Sequence, residues 1–297
     1  MGPSVQIATL PTPTSSRASY RSSWAKVAIL VGLIAWLYFP IISHLVAQWS
    51  QDPNFSHGFF VPAFSFYVLW QDRSRLANLL RSPSTSGLLI IILALCVLVT
   101  GVLGAELFLS RISLLILIVG LVVYFLGWQF FRGVLFPWAV LILMIPIPAI
   151  VFNQITFPLQ LLASKVAAGV LPWAGVPVLR EGNVINLPAM ALEVAEACSG
   201  IRSLLSLATL AIIYGYLMEA RISIRIILAL ASVPIAVGAN SLRIVGTGLL
   251  VQYWDPQKAE GFFHAFSGWL IFVVSLAMLF AVHRVLHLTT GGKESQA

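Results

Sequence analysis

Charge is the scarcest property of this chain, since only 9% of its 297 residues are Asp, Glu, Lys or Arg. Hydrophobic residues make up 59%, and the mean hydropathy is +0.96. A soluble domain of this length cannot bury so much apolar surface, so the scarcity of charge excludes a soluble protein. The chain is therefore predicted to be an integral membrane protein, with the lipid bilayer as a partner.

Cysteine is scarce too, and the two present, Cys96 and Cys198, are too few for a disulfide framework. Cys96 lies within an apolar run and is interpreted as a small packing residue. No glycine-rich phosphate loop is present, and no Cys/His cluster has metal-ligand spacing, so no metal and no cofactor are expected. The net charge of +7 comes from short loops rather than a basic stripe, so nucleic acid is not expected as a partner.

Long apolar runs predict an all-α, polytopic bundle of about eight transmembrane helices. Another apolar segment, at about 155–171, is interrupted by Pro158 and flanked by Pro172, and it carries Gln160 and Lys165. It is predicted to lie in the membrane interface, although a crossing stays open. The eight predicted spans lie near residues 27–47, 57–71, 87–105, 112–127, 134–152, 200–218, 226–250 and 263–283.

Most of the 17 lysines and arginines fall on one side of this arrangement. Because positive loops stay in the cytoplasm, both termini are predicted to be cytoplasmic. A single transmembrane domain, 24–288, is expected between a disordered cytoplasmic tail, 1–23, and a second cytoplasmic tail, 289–297. The predicted external loops are 48–56, 106–111, 153–199 and 251–262.

The external loop 153–199 is the longest. Its run from Val176 to Leu187 predicts two short strands around a Glu181-Gly182-Asn183 turn. This small extracytoplasmic β-hairpin leads into Cys198. It is interpreted either as a lid or substrate edge, or as a cap on the bundle.

Three side chains with reactive or cationic groups fall on the predicted external face: Cys198, Arg243 and His264. Cys198 is predicted to open a helix, where the reactive thiolate is favoured. Arg243 lies about 10 Å inside the outer end of its span, where an arginine faces a partner or a wet cavity. The imidazole of His264 can transfer a proton near neutral pH. Together the three groups predict covalent attack on a peptide bond.

Structural interpretations of the same residues remain open. The alternative for Arg243 is an ion pair or hydrogen bond with one of three residues, Glu193, Glu196 or Asn240. Arg202 lies one helical turn after Cys198, and it either snorkels, pairs with a glutamate or serves the chemistry. His57, within Ser56-His-Gly58, is a reserve candidate for the catalytic histidine because it is also predicted to be external.

The run Glu196-Ala-Cys-Ser-Gly-Ile-Arg202, then Asn240-Ser-Leu-Arg243, then His264 before a final span, resembles the exosortases. These are membrane cysteine enzymes of Gram-negative bacteria, related to archaeosortases. The runs Arg180-Glu-Gly-Asn-Val184 and Ser56-His-Gly58 also resemble that family, and the match covers roughly residues 27–287. The resemblance implies a triad of Cys198, Arg243 and His264.

The resemblance also implies a location and a substrate. The expected location is the bacterial inner membrane, with the active site facing the periplasm. The expected substrates are membrane-anchored proteins with a C-terminal Pro-Glu-Pro sorting signal, often encoded near exopolysaccharide genes. Cys198 would cleave them as a protease or transpeptidase through an acyl-enzyme. The candidate substrate-binding residues are Arg202, Arg180, Glu196 and Asn240.

Two other classes of function remain open. One is a non-enzymatic transporter or channel, for example for a polysaccharide intermediate, with Arg202 and Arg243 lining its path. Transporters typically show paired repeats and helices broken near the midplane, whereas the polar groups here gather at one face. The other class is a structural assembly subunit, whose function would be indifferent to the three triad residues. The acyl acceptor, the oligomeric state and the pathway are not predicted.

Overall fold

Long apolar helices form most of the chain. A computed structural model describes residues 15–194, 201–254 and 262–291. Its α-helices are α1 (Ser15–Gln51), α2 (Phe60–Gln71), α3 (Arg73–Ala77), α4 (Ser86–Leu103), α5 (Leu107–Phe125), α6 (Trp128–Gly133), α7 (Leu135–Val140), α8 (Ala149–Val170), α9 (Ile201–Met218), α10 (Ile222–Tyr253) and α11 (Phe262–Gly291). Short 3₁₀ helices cover Pro53–Phe59, Leu141–Met144 and Leu171–Ala174.

Among the described residues, six helical stretches are long and apolar enough to cross a membrane. Leu135–Met144 and Arg202–Met218 are shorter apolar helices. The predicted all-α polytopic class is thereby confirmed. The six stretches are Lys26–Gln51, Ser86–Leu103, Leu107–Phe125, Ala149–Ala174, Ile222–Tyr253 and Gly268–Thr289.

The chain divides into two units, residues 1–45 and 46–297. The described part of the first unit is the beginning of α1. This helix starts at Ser15, inside the stretch predicted to be a disordered tail, and α11 ends at Gly291, inside the predicted second tail. The remaining tail residues, 1–14 and 292–297, lie outside the described part of the chain.

The predicted spans 87–105 and 112–127 correspond to α4 and α5, which pack closely as a helical hairpin. Glycines permit the close approach. A β-carbon added to Gly87 would lie 2.6 Å from Cα of Tyr124, and one added to Gly120 would lie 2.9 Å from the backbone nitrogen of Ile91. Any side chain at either glycine would push the two helices apart.

Two predicted spans differ from the structure. The run 57–71 contains the end of a 3₁₀ helix before the 12-residue α2 begins. The run 134–152 is interrupted after Met144, because Pro146 and Pro148 cannot continue a helix. The chain resumes as α8, which takes in most of the segment predicted to be interfacial.

Helix α8 is long enough to cross a membrane. Its first residues, beginning at Ala149, line a cavity together with Asp52 and Glu106. Near its other end, Ala163 and Ala167 pack in a cluster with the β-sheet. Both ends of α8 thus adjoin loops that are predicted to be external. These contacts favour a helix that lies in the membrane interface, whereas the length of α8 is sufficient to cross the membrane.

The predicted β-hairpin is confirmed and has a third strand. Strands β1 (Leu179–Glu181), β2 (Val184–Asn186) and β3 (Ala191–Glu193) form an antiparallel sheet in that order. Glu181 pairs with Val184 across a two-residue turn. Gly182 occupies the first turn position with φ +65°, a conformation that costs glycine no steric strain.

The sheet belongs to a hydrophobic cluster with α8 and α10. Ile185 is fully buried, and Leu192 and Val194 are nearly so. They pack with Ala163 and Ala167 of α8 and with three α10 residues, Ile244, Val245 and Val251. The sheet is therefore held against the half of α10 that carries Arg243.

Candidate active site

The predicted triad is only partly within the described residues. Cys198 lies in 195–200, outside the described part of the chain, and so does Glu196. His264 lies in the first turn of α11, but its side chain is not among those described. Arg243 and Asn240 are both described, on α10. The geometry of the site is therefore built around Arg243.

The guanidinium of Arg243 lies against the last helix. A β-carbon added to Gly268 would be 3.7 Å from Nη2 and 3.8 Å from Cζ of Arg243. Gly268 is four residues after His264 in α11, which is about one helical turn. The glycine makes room for a guanidinium beside the turn that follows His264, and the backbone thus brings two of the three predicted catalytic residues close together.

Asn240 precedes Arg243 by three residues, so both lie on neighbouring positions of one face of α10. Asn240 is buried and Arg243 is half-buried. Both side chains take part in interactions within the protein. An amide and a guanidinium together offer several hydrogen-bond donors in fixed directions, which suits binding of a carbonyl oxygen or a carboxylate.

The β-sheet brings the chain to the same half of α10. Val194, the last described residue before the segment with Cys198, is 1% exposed and packs in the cluster that contains Ile244 and Val245. Its backbone N–H donates to the carbonyl of Asn183 at 3.1 Å. Glu193, considered above as a partner of Arg243, is the exposed final residue of β3.

The two further arginines proposed for substrate binding differ in their surroundings. Arg180 holds the hairpin turn, because its Nη1 donates to the carbonyl of Gly182 at 2.8 Å and to Oγ of Ser164 at 3.2 Å. Ser164 in turn donates to the same Gly182 carbonyl at 3.0 Å. Arg202, in the first turn of α9, is exposed. Arg180 thus links the hairpin turn to α8, whereas the side chain of Arg202 is exposed on the surface of the protein.

The Ser56-His-Gly58 run lies in the 3₁₀ helix before α2. A β-carbon on Gly58 would lie 2.6 Å from Cδ1 of Trp49, so only glycine leaves space for that indole. Trp49 uses the position to donate from Nε1 to the carbonyl of Met144 at 2.9 Å. The glycine of this run thus has a packing role.

His57 itself is mostly enclosed. Its Nε2 lies 3.2 Å from the carbonyl of Leu143, while the buried Nδ1 has no hydrogen-bond partner among the described residues. Burial lowers the pKa of His57 below its usual 6.5, and the nearby backbone of Leu143 and of Asn54 offsets part of that effect. His57 is consequently a neutral imidazole at neutral pH.

A polar cavity of about 370 Å³ adjoins this 3₁₀ helix. Arg111, predicted to lie in an external loop, instead lies in the second turn of α5 and is only 4% exposed. Glu106 caps this helix by accepting from the backbone N–H of Phe108 at 3.1 Å. Glu106 just before an apolar run signals that the helix starts early enough to include Arg111.

The sequence matches a known protein family over most of its length. Residues 49–281 match the family described as transmembrane exosortase (Exosortase_EpsH), and the match spans more than half of the chain. No curated protein and no solved structure matches the chain. The matched region contains the hairpin, the whole of α9 and α10, and the positions of Cys198, Arg243 and His264. Because this match covers more than half of its residues, the chain belongs to the transmembrane exosortase family.

Proposed function

We propose that this protein is a membrane cysteine protease or transpeptidase that cleaves C-terminal Pro-Glu-Pro sorting signals of exported proteins. In this proposal Cys198 is the nucleophile, Arg243 and His264 complete the triad, and the site faces the periplasm of the inner membrane. One observation carries the proposal: the Arg243 guanidinium lies beside Gly268, one helical turn from His264.

The connectivity of the chain supports a role for Cys198 beside these residues. Cys198 is four residues from Val194 and three from Ile201, and a chain extends at most about 3.6 Å per residue. Its Cα therefore lies within about 14 Å of that of Val194, however the segment runs. Val194 packs in the cluster with Ile244 and Val245, in the half of α10 that holds Arg243, and this connectivity supports a role for Cys198 beside Arg243.

The proposed reaction has two steps. The Cys198 thiolate attacks the scissile carbonyl carbon, a C–S bond forms, and the C–N bond breaks as His264 gives a proton to the leaving amine. The guanidinium of Arg243 donates hydrogen bonds to the carbonyl oxygen while that oxygen is negatively charged. Water or an external amine then attacks the thioester and gives a proton to His264; the C–S bond breaks, which releases the product and regenerates the thiolate.

A membrane-anchored substrate suits this location. A substrate helix that docks laterally presents the residues just outside its membrane end to a thiol just outside an enzyme helix. In the proposed complex Arg202 or Arg180 binds the glutamate of the motif, with Glu196 and Asn240 lining the same site. The exposed Arg202 is the first of these to test, because Arg180 already binds the hairpin turn.

The test uses co-expression with a tagged exported protein that ends in Pro-Glu-Pro, an apolar helix and arginines. With Cys198→Ala, the unprocessed substrate is expected to accumulate while the variant still inserts into membranes. Cys96→Ala is the matched control, since Cys96 lies exposed on α4 and processing should continue. Normal processing by Cys198→Ala would refute the proposal.

A membrane-impermeant thiol reagent tests the predicted orientation. In intact spheroplasts it should label Cys198, and its rate should fall in His264→Ala. Protection of Cys198 until the membrane is permeabilised would place the thiol on the cytoplasmic side. Labelling that does not depend on His264 would favour the transporter or assembly-subunit hypotheses over an enzyme.

A further inference from the structure

A second group of ionisable side chains lies at the opposite end of α9, α10 and α11. Glu219, in the turn between α9 and α10, has its Oε2 2.8 Å from Nε2 of His287 and 3.4 Å from Nε2 of His283. Both histidines belong to α11, one helical turn apart. The three possible ligand atoms lie within 4.8 Å of one another. No step of the proposed peptide cleavage uses these residues.

The three ligand atoms are close enough to share one metal ion after small side-chain movements. Tetrahedral Zn²⁺ with bonds of about 2.0–2.1 Å places neighbouring ligand atoms about 3.3 Å apart. The 3.4 Å between Glu219 and His283 already matches that spacing. The 2.8 Å between Glu219 and His287 must widen by about 0.5 Å. The imidazole of His287 can make that movement, because its side chain is 52% exposed.

The groups around the cluster orient the ligands. Tyr214 Oη lies 2.7 Å from Nδ1 of His283, so this hydrogen bond fixes the ring and directs Nε2 toward Glu219. Metal-binding histidines commonly have a partner of this kind on their second nitrogen.

The carboxylate of Glu219 is kept ionised. Burial pushes its pKa upward, but the backbone N–H of Arg221, the side chain of His283, the charge of His287 and the backbone N–H of Ala220 outweigh burial and lower the pKa. Nε of Arg225 donates to the backbone carbonyl of Glu219 at 2.7 Å, not to its carboxylate. The carboxylate is therefore directed to the two imidazoles.

We propose that Glu219, His283 and His287 bind a divalent transition-metal ion of the Zn²⁺ class. Two imidazoles and one carboxylate form a donor set that suits zinc better than calcium or magnesium. The exposed side of His287 leaves the fourth position to water. The ion would join the α9–α10 turn to α11 at an end of the bundle that the charge distribution predicts to be cytoplasmic.

The proposed role is structural. His283 and His264 are 19 positions apart on α11, about 28 Å along a helix, so an ion on His283 cannot touch the proposed catalytic residues. The same ion would hold together the helix that follows Cys198, the helix of Arg243 and the helix of His264. The sequence holds a signal for this site, because His283 and His287 are spaced by one helical turn.

The experiment uses the full-length protein carrying Cys198→Ala, purified in detergent, so that the catalytic thiol cannot bind the added metal. After equilibration with Zn²⁺ and removal of free ion, elemental analysis should find about one Zn²⁺ per chain. In the same background, His287→Gln and Glu219→Gln should each weaken Zn²⁺ binding at least about tenfold. His44→Gln is the control, because His44 is an exposed histidine elsewhere, on α1.

Two further measurements complete the test. In chelator, His287→Gln should still unfold in one cooperative transition, which shows that the half-exposed variant folds. Co²⁺ in place of Zn²⁺ should give the intense visible bands of a four-coordinate site, and these should be missing in His287→Gln. Failure to retain Zn²⁺, or equal retention by His287→Gln and Glu219→Gln, would overturn the proposal. Neither result depends on whether the protein cleaves peptides.

Discussion

Polar side chains have different surroundings at the two ends of α9, α10 and α11. At the end that holds Glu219, polar groups satisfy one another: His283 lies 2.7 Å from Tyr214 and 3.4 Å from Glu219. At the end that holds Arg243, the guanidinium lies beside Gly268 of the neighbouring helix and also takes part in interactions within the protein. Polar groups among apolar helices are costly unless they are paired or functional. In the functions proposed above, the Glu219 end stabilises the bundle and the Arg243 end carries the chemistry.

The largest expected effect comes from Arg243→Lys. Lysine keeps the charge but lacks the planar fork of donors, so it cannot reproduce a guanidinium directed at a carbonyl oxygen. We expect processing to slow about 10²–10³-fold, as when an oxyanion donor worth about 2.7–4 kcal/mol is removed. Single-turnover cleavage of a tagged substrate measures this. Near-normal turnover with unchanged thermal stability would exclude a role of Arg243 in the reaction, and the proposed difference between the two ends would be wrong.

Gly268→Leu tests the space that Arg243 occupies. An alanine β-carbon fits, since it would lie 3.7 Å from Nη2, but the longer leucine side chain must displace the guanidinium. We expect Gly268→Leu to slow processing about tenfold or more and Gly268→Ala to change it little. The same cleavage assay measures both variants. If processing by Gly268→Leu equals that by Gly268→Ala, the guanidinium of Arg243 does not act in the reaction from its position beside Gly268.

Tyr214→Phe tests the Glu219 end. Removing one hydroxyl leaves Nδ1 of His283 without that partner, and the expected cost is about 1 kcal/mol in the free energy of unfolding. Processing should stay within about twofold of the parent, because Tyr214 and Arg243 lie near opposite ends of the helices. Thermal unfolding in detergent and the cleavage assay are to be compared on one preparation. A selective loss of processing would contradict the division between the two ends.

The smallest expected effect concerns acid stability. Because the folded-state pKa of His57 is lower than 6.5, the unfolded chain takes up this proton first as the pH falls. The stabilisation by neutral His57 is complete above about pH 6.5 and is lost as the pH falls from there to the folded-state pKa. His57→Gln, which keeps a donor for the Leu143 carbonyl, should flatten stability between pH 7 and 5. An unchanged acid slope would show that His57 is not the titrating group.

How far the sequence predicted the fold depends on what interrupts each apolar run. The α4–α5 pair was predicted because its runs are uninterrupted and joined by a short polar turn. The run 134–152 was wrongly taken as one span, since counting apolar residues gave too little weight to the break at Pro146 and Pro148. Strand β3 was missed because Ala191–Glu193 has little strand propensity of its own and forms by pairing with β2.

The candidate site shows the same limit. Residue types and their order predicted that Arg243 and His264 belong together, and the helix backbones bring these positions close. The contact partner Gly268 could not be predicted, because a glycine in an apolar helix gives no sign of which neighbour fills the space beside it. The Glu219 cluster was missed because its members are far apart in sequence, and only tertiary packing of α11 on the α9–α10 turn unites them. The placement of Cys198 remains a prediction.

The Glu219 contacts hold α11 to the α9–α10 turn at one end of these helices. Helices held together at one end can still tilt there, and the displacement grows with distance from the pivot. A tilt of about 5° over about 28 Å of helix moves the far end by about 2.4 Å. Small angular changes at the histidine pair are thus amplified at the opposite end, where the gap between α10 and α11 holds a guanidinium.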